Sequence, residues 1–403
     1  MATIISTVVI TNNTWIKFIM RLSISTSNRF RLFFGVQFAG IGIYFSFIAL
    51  YLNSLELTGA QLGLLFALIP LISFLVQPLW GFATDIYHRQ RIALVVACFG
   101  VAAAMIGMAQ AKTFWPILLF TVLHAVMMAP IGILVTALAL EHLNRQSAGN
   151  FGALRLWGSI GYAISTFGIG TWLLDQGNIW WILPLYGLCN LILGLLALSL
   201  PDADVHGQSS WQEGVTLLQR QRGLALFLFA IMLIGFTHGI VNYYLSVYLS
   251  DIQAAGWVIG VTLALAAVFE VPFMGRAHRF MERWGVRPVL LFGLAMFVVR
   301  WFLYIFIKEP LLVLPTQILH SIGITSLLIV GVLYMDRQLE PKWRTSAQSL
   351  YTASFAGIGP AVGLYFAGNL YSSYGIQSVW IFSTLVGLAG TIILAFAVYA
   401  KSE

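Results

Sequence analysis

The sequence predicts an all-α integral membrane protein, with twelve transmembrane helices arranged as two pseudo-symmetric six-helix bundles. Composition is the first observation: of 403 residues, 60% are apolar and only 9% are charged, and the mean hydropathy is +0.89. Soluble domains carry roughly 25% charged residues, so these few charges could not cover a water-exposed surface. The second observation is a series of long apolar runs. The third is one hydrophilic stretch that divides these runs into two equal sets.

A membrane helix needs about 20 mostly apolar residues, and the chain holds twelve runs of that kind, bounded by charged or turn residues. The first 28 residues hold none, and Trp15 to Leu22, with Lys17 and Arg21, indicates an interfacial segment. We expect no cleaved signal peptide, and the start is either Met1 or Met20. The predicted spans are 32–52, 61–80, 92–111, 116–139, 154–173, 179–200, 224–249, 256–275, 287–307, 311–334, 347–369 and 376–399.

The longest internal hydrophilic stretch predicts the domain organisation. It separates six spans from six, and each half repeats a glycine followed by basic residues, after Gly81 in the second span and after Gly275 in the eighth. Six-plus-six repeats are typical of secondary transporters, whose solute binds near the midplane between the repeats. The predicted domains are an amino-terminal segment 1–31, bundles 32–200 and 224–403, and a linker 201–223.

The distribution of Lys and Arg predicts the orientation. With the amino terminus inside, seventeen of the 21 basic residues lie in cytoplasmic segments, and the outer loops hold only Lys112 and Lys308. The positive-inside rule then places both termini and the linker in the cytoplasm, with the helices in the cell (plasma or inner) membrane. This also explains the net charge of +7, so we expect no nucleic-acid partner.

Several chemistries are absent from the sequence. Cys98 and Cys189 lie in apolar runs, which favours buried free thiols over a disulfide or a metal site. The chain has no His-Glu-x-x-His motif, P-loop or nucleophile elbow. We therefore expect neither an enzyme nor a metal or cofactor, and any work must draw on an ion gradient.

Ionisable side chains within the spans are the main candidates for function, because each costs about 2.5–3.5 kcal/mol at a helix centre. Glu270, Arg300 and His320 lie in the eighth, ninth and tenth spans, and Arg155 and His238 are next. Burial favours the protonated form of a carboxylate, whereas a nearby guanidinium favours the charged form. Moving the two apart would load or release a proton. A purely structural Glu270–Arg300 ion pair is the alternative.

The turn after the second span resembles the signature loop of the major facilitator superfamily. Gly81 is followed by Asp85 and then by Arg89 and Arg91, although His88 stands where that family usually has a second glycine. The resemblance implies the major facilitator fold and a gating role for these four residues. The alternative is a positive-inside loop that contains an acid.

Five further motifs resemble the lactose permease and phenylpropionate permease group of this superfamily. The resemblance implies that Arg155 contacts the substrate and that Glu270, Arg300 and His320 couple protons to transport by alternating access. The motifs are Gly152-Ala-Leu-Arg155-Leu-Trp-Gly158-Ser-Ile-Gly161-Tyr162, Phe269-Glu270-Val, Val298-Val-Arg300, Gln317-Ile-Leu-His320 and Gly368-Asn369-Leu-Tyr371.

Departures from that group argue against a galactoside. Gly323 replaces its tenth-helix acid, Ala137 replaces its fourth-helix glutamate with Glu141 one turn later, and Tyr162 replaces its sugar-stacking tryptophan. The acids of its seventh helix have no counterpart near His238.

The balance of buried charges suggests an anionic substrate, because Arg155, Arg300, His238 and His320 outnumber Glu270. We expect a monomeric, proton-coupled symporter of a small or aromatic carboxylate. The alternatives are a saccharide or nucleoside symporter, a solute exporter, or a non-transporting receptor or scaffold. The predicted substrate-binding residues are Arg155, Tyr162, His238, Asn242, Glu270 and His320, with Tyr44, Trp157, Tyr243 and Tyr244 as further aromatic candidates.

Overall fold

The computed structural model describes residues 25–87, 89–146, 150–202, 222–340 and 343–399. Within these ranges the chain forms twelve helices of membrane-spanning length, which confirms the predicted fold class. Residues 1–24, His88 and most of the predicted linker lie outside the described residues. The helices are α1 Thr26–Asn53, α2 Gly59–Tyr87, α3 Gln90–Gln110, α4 Phe114–Arg145, α5 Phe151–Gly168, α6 Ile179–Leu198, α7 Arg222–Asp251, α8 Gly256–Trp284, α9 Val286–Phe306, α10 Pro310–Arg337, α11 Ser346–Tyr374 and α12 Ile376–Tyr399.

Helix α1 begins at Thr26, before the predicted start at residue 32. Ser25 caps its first turn, since its Oγ accepts a hydrogen bond from the Asn28 backbone N–H at 3.4 Å, and Arg29 Nη1 donates a hydrogen bond to the carbonyl oxygen of Ser199 at 2.7 Å. A long basic side chain can thus belong to a membrane helix while its charge reaches the helix end.

Four of the described helices depart from regular α geometry within their length. Helix α4 is interrupted after Met128, beside Pro130, which lacks a backbone N–H donor. Helix α5 continues as the π-helix Ile169–Leu174. Helices α10 and α11 contain the π-helical segments Ser326–Gly331 and Ala353–Ile358. Such segments often occur at functional sites.

Helix α5 differs in composition from the other eleven described helices. The other eleven are long and apolar enough to cross a membrane, whereas α5 carries Arg155 and several small or hydroxylated residues. It packs on α1, where Gly161 lies against the backbone of Gly35. Small residues permit this close approach of two helices.

The helix ends fall on two faces, because successive helices run antiparallel. One face, here called the terminal face, carries Thr26 at the start of α1 and Tyr399 at the end of α12. The opposite face carries the turns that follow the odd-numbered helices.

The two halves meet at the opposite face through matching glycine contacts. Gly59 and Gly63 of α2 lie against Gly368 of α11, and Gly256 and Gly260 of α8 lie against Gly170 beyond α5. Each contact sets a Gly-x-x-x-Gly pair against a single glycine, so the backbones approach closely.

At the terminal face, by contrast, the glycines near the ends of α2 and α8 have no close neighbours among the described atoms. A Cβ atom added at Gly81 or Gly275 would meet no described atom within 4 Å. The described residues therefore hold the halves together at the opposite face and leave these two glycines uncovered at the terminal face.

We predict that Gly170→Val prevents closure of the opposite face. A Cβ atom there would lie 2.5 Å from the carbonyl oxygen of Gly256, and overpacking typically costs about 1–3 kcal/mol. Opening of this face is reported by the variant Ser246→Cys on α7, in a protein whose Cys98 and Cys189 have been replaced. Ser246 itself is 1% exposed. Labelling by an impermeant thiol reagent at that face should rise at least about fivefold.

The matched control is Gly168→Val, two residues earlier in the chain. A Cβ atom at Gly168 meets no described atom within 4 Å, so labelling should stay at the level of the parent. Equal labelling of the two variants would contradict closure through the Gly170 contact.

Candidate functional site

Arg300 is the most deeply buried charge of the site, with 1% of its surface exposed. Its Nε donates to the Tyr304 hydroxyl at 2.7 Å, and its Nη1 lies 2.9 Å from His320 Nδ1. Its Nη2 donates to Gln317 Oε1 at 2.9 Å. All three acceptors are neutral groups, and together they satisfy a cation whose burial would otherwise be very costly.

Helix geometry brings these partners together. Tyr304 lies one turn after Arg300 on α9, and Gln317 lies one turn before His320 on α10, so each pair shares a helix face. The Tyr304 hydroxyl is also 3.1 Å from Thr316 Oγ1 and accepts from Gln317 Nε2 at 3.3 Å. This polar cluster joins α9 to α10 inside the carboxy-terminal half.

The contact with Arg300 fixes the tautomer of His320. A guanidinium can only donate hydrogen bonds, so Nδ1 must be the unprotonated acceptor, and the proton of a neutral ring must be on Nε2. That Nε2 lies 3.3 Å from Glu270 Oε1. His320 therefore stands between Arg300 and Glu270, and the arrangement differs from a direct Glu270–Arg300 ion pair.

Arg155 faces this cluster from the amino-terminal half. It interacts electrostatically with Glu270, whose side chain is 25% exposed, without a direct ion pair between the two described side chains. Its guanidinium lies over the Phe38 ring, 4.3 Å from the centroid. The same ring covers Gly158 so closely that a Cβ atom there would lie 2.8 Å from it. Among the described residues, none accepts a hydrogen bond from Arg155.

His238 extends the cluster onto α7. Its ring is nearly parallel to that of His320, with centroids 5.8 Å apart, and it packs against Phe297 and Phe355. Its Nδ1 atom is buried and has no hydrogen-bond partner within the described ranges.

Two other predicted binding residues stand outside the hydrogen bonds of the described cluster, although Tyr162 interacts electrostatically with Glu270 and Arg300. The Tyr162 hydroxyl is 3.0 Å from Ser46 Oγ, and this contact links α5 to α1. Asn242 is exposed on α7. Neither residue forms a hydrogen bond with the Arg300 cluster in the part of the chain that the structure describes.

Three of the aromatic residues predicted to stack on a solute are covered by other rings instead. Tyr44 stacks on Tyr186, with ring centroids 4.7 Å apart. Trp157, in contrast, is not one of the three and is 43% exposed. Tyr243 of α7 packs against Phe45 of α1 and Phe66 of α2. We call Tyr44, Phe45, Phe66, Tyr243 and Tyr244 the aromatic wall, which closes the boundary between the halves.

The predicted gating loop contacts its own half. The Arg91 backbone N–H donates to Asp202 Oδ1 at 3.1 Å, and its Nη1 donates to the Leu200 carbonyl oxygen at 3.4 Å. Arg89 is exposed at the N-cap of α3. The side chain of Asp85 lies outside the described residues. Arg91 therefore binds the end of α6 in this conformation.

Three further residues take part in the site, although their roles were not predicted from the sequence. Tyr304 and Gln317 hold Arg300, and Phe38 covers one face of Arg155. Helical spacing from Arg300 and His320 was the available signal for Tyr304 and Gln317. No local signal identified Phe38, because it belongs to a different helix from Arg155.

We predict that Tyr304→Phe destabilises the protein by about 1–3 kcal/mol, because it leaves Nε of the buried Arg300 without its acceptor. The measurement is the Tm of the purified protein in detergent. Tyr374→Phe is the control, because Tyr374 is 77% exposed. The Tm of this variant should equal that of the wild type. A wild-type Tm for Tyr304→Phe would contradict the role given to this hydroxyl.

Known proteins share both the sequence pattern and the fold. Residues 28–382 match the family described as "MFS_1 like family". "Maltose permease" of Geobacillus stearothermophilus is 29% identical over 369 residues, covering 91% of this chain and 93% of its own. "Probable 3-phenylpropionic acid transporter" of Escherichia coli (strain K12) is 27% identical over 358 residues, covering 85% and 91%.

A third relative also has a solved structure. "Nucleoside permease NupG" of Escherichia coli (strain K12) is 22% identical over 397 residues, covering 91% of this chain and 93% of its own. The crystal structure of the nucleoside transporter NupG aligns with a TM-score of 0.81 at 19% identity, over 94% of this chain and all of that one. That structural likeness concerns the fold, whereas the family match covers most of the sequence. The chain therefore belongs to the MFS_1 like family and is a multi-pass membrane transporter of the major facilitator superfamily.

Proposed function

We propose that the protein is a proton-coupled symporter of a small neutral polyhydroxylated solute. One observation carries the proposal: the Glu270 carboxylate lies 3.3 Å from His320 Nε2 in one half and interacts electrostatically with Arg155 of the other half. A single carboxylate is thus placed to respond to a proton, to the solute and to the separation of the halves.

The proton site in this proposal is Glu270. Its protonation removes the negative charge that attracts Arg155 across the boundary between the halves. It also weakens the attraction between Glu270 and the His320 Nε2–H group 3.3 Å away, because a neutral acid attracts an N–H group less than a carboxylate does. Arg300 holds His320 in the tautomer that can donate to Glu270. His320 and Arg300 therefore position the carboxylate, and the proton moves on and off Glu270.

The charges that face a solute favour a neutral one. Arg300 is enclosed by its own acceptors and is 1% exposed, and the charge of Arg155 is opposed by that of Glu270. A pair of neighbouring hydroxyl groups could accept hydrogen bonds from Arg155 and donate one to Glu270. The relatives described as a maltose permease and a nucleoside permease support this class. We therefore place saccharides and nucleosides ahead of the carboxylate expected from counting charges.

The transport cycle in this proposal is alternating access by a monomer in the cell membrane, without enzymatic activity. Both termini lie in the cytoplasm, an orientation supported by Arg29, Arg89, Arg91 and Arg145 on the terminal face. The halves meet at the opposite face, so this conformation would open towards the cytoplasm. The residue 81–91 loop would meet the other half when the terminal face closes.

We predict that Glu270→Gln abolishes accumulation of solute against its gradient but retains exchange of solute across the membrane. The amide cannot carry a proton, whereas it can still accept a hydrogen bond from a solute or from His320. The measurement is uptake into proteoliposomes with and without an inward pH gradient, beside an exchange assay at equal pH.

Glu282→Gln is the control, because Glu282 lies on the same helix with a side chain that is 65% exposed. It should accumulate solute like the wild type. Gradient-driven accumulation by Glu270→Gln would show that the proton binds elsewhere, and wild-type flux that ignores the pH gradient would make the protein a uniporter.

We predict that the wild type binds a neutral sugar or nucleoside and that Arg155→Gln weakens this binding by about one to two orders of magnitude. The loss corresponds to hydrogen bonds from a charged donor, at about 1.5–3 kcal/mol. Isothermal titration with a saccharide, a nucleoside, a small aromatic carboxylate and the amide of that carboxylate is the measurement. Preference for the carboxylate over its amide, lost in Arg155→Gln, would instead identify an anion carrier.

A further inference from the structure

The first turn of α8 is capped by the other half of the protein. The N-cap residue, Ala255, has no side chain that can accept a hydrogen bond. Instead, the Gly256 N–H donates to Oδ1 of Asp175, at 2.6 Å. The first N–H groups of a helix have no partner within the helix. A carboxylate at this position satisfies one of them and interacts favourably with the helix dipole.

The equivalent helix of the first half is capped locally. In the turn before α2, the Thr58 N–H donates to Gln61 Oε1 at 2.9 Å, and the Gln61 N–H donates to Thr58 Oγ1 at 3.3 Å. This reciprocal pair is a capping box, which needs nothing from another helix.

The residue that takes the place of Asp175 in the matching contact is Ser372, beside Gly59. Its hydroxyl donates within its own helix, to the Asn369 carbonyl oxygen at 3.2 Å. Among the described residues, the cap supplied from across the boundary is therefore found at α8 and has no equivalent at α2.

The position of Asp175 links this cap to closure of the opposite face. Asp175 directly follows the π-helix that carries Gly170, and Gly170 lies against Gly256 and Gly260. When the halves separate at this face, Gly256 must leave Asp175. The hydrogen bond thus belongs to the closed opposite face and is lost when that face opens.

We propose that Asp175 is a positioning residue for transport, which latches the opposite face closed by capping α8 across the boundary between the halves. It favours the conformation that is open at the terminal face. Loss of one N-cap contact should shift the ratio of closed to open opposite faces about fivefold. The inference rests on the alternating access of the proposed function.

The test uses the Ser246→Cys reporter described above and needs neither a solute nor a proton gradient. Asp175→Ala should raise labelling from the opposite face about fivefold, and Asp175→Asn should have a smaller effect, because the amide oxygen still accepts a hydrogen bond. Asp251→Ala is the matched control. Asp251 lies on the same face, but its contact with Tyr371 at 3.3 Å stays within one half, so labelling should not change.

A second variant separates the latch from a simple helix cap. Ala255→Ser supplies an N-cap within α8 itself, so in the double variant with Asp175→Ala the Tm should return towards that of the wild type while labelling stays raised. If Ala255→Ser also returns labelling to the wild-type level, Asp175 is only a structural cap and the proposal is wrong. Unchanged labelling in Asp175→Ala overturns it as well.

Gly170→Val distinguishes this failure from failure of alternating access. If Gly170→Val raises labelling and Asp175→Ala does not, the opposite face opens but Asp175 does not hold it. If neither variant changes labelling, the reporter position does not open, and the alternating access that underlies the proposed function fails with the latch.

Discussion

The rest of the site depends on keeping one guanidinium charged in the interior of a membrane bundle. Arg300 is almost fully buried, so its N–H donors need hydrogen-bond acceptors within the protein. The acceptors are a phenol, an amide and an imidazole. Their geometry packs α9 against α10 and orients the ring of His320. The ring in turn places its remaining N–H beside Glu270, so the buried cation determines where the carboxylate is held.

Prediction from sequence reached the helices and the charged residues, because both follow from the cost of placing groups in hydrocarbon. Long apolar runs show where the chain crosses, and Glu270, Arg300 and His320 stand out in them because an ionisable group there is expensive. The way these residues pair was not predictable. Helical spacing identifies neighbours on one helix, such as Arg300 and Tyr304, but it does not show how α8 and α10 are rotated towards each other. His320 therefore appears between Glu270 and Arg300 only in the structure.

Contacts between distant parts of the chain were hidden for the same reason. Asp175 and Gly256 lie 81 residues apart, and nothing near either residue in the sequence indicates the other. The covered rings of Tyr44, Tyr243 and Tyr244 illustrate the opposite error. An aromatic residue within a membrane span can face a cavity, lipid or another ring, and composition does not distinguish these surroundings. Symmetry helps only in part, since both halves share the glycine contacts whereas Glu270, Arg300 and His320 all lie in the second half.

The aromatic wall has an electrical consequence. Its rings pack against one another across the boundary between the halves, as Tyr243 does with Phe45 and Phe66, and they leave little room for a file of water molecules. Protons hop along such files, so in the proposed function this layer of rings would hinder the movement of protons past the wall. A membrane voltage concentrates across the layer that excludes water, at about 2.3 kcal/mol per elementary charge for each 100 mV. In the proposed proton-coupled cycle the wall would act as an insulating layer, and a leak through it would dissipate the proton gradient without moving solute.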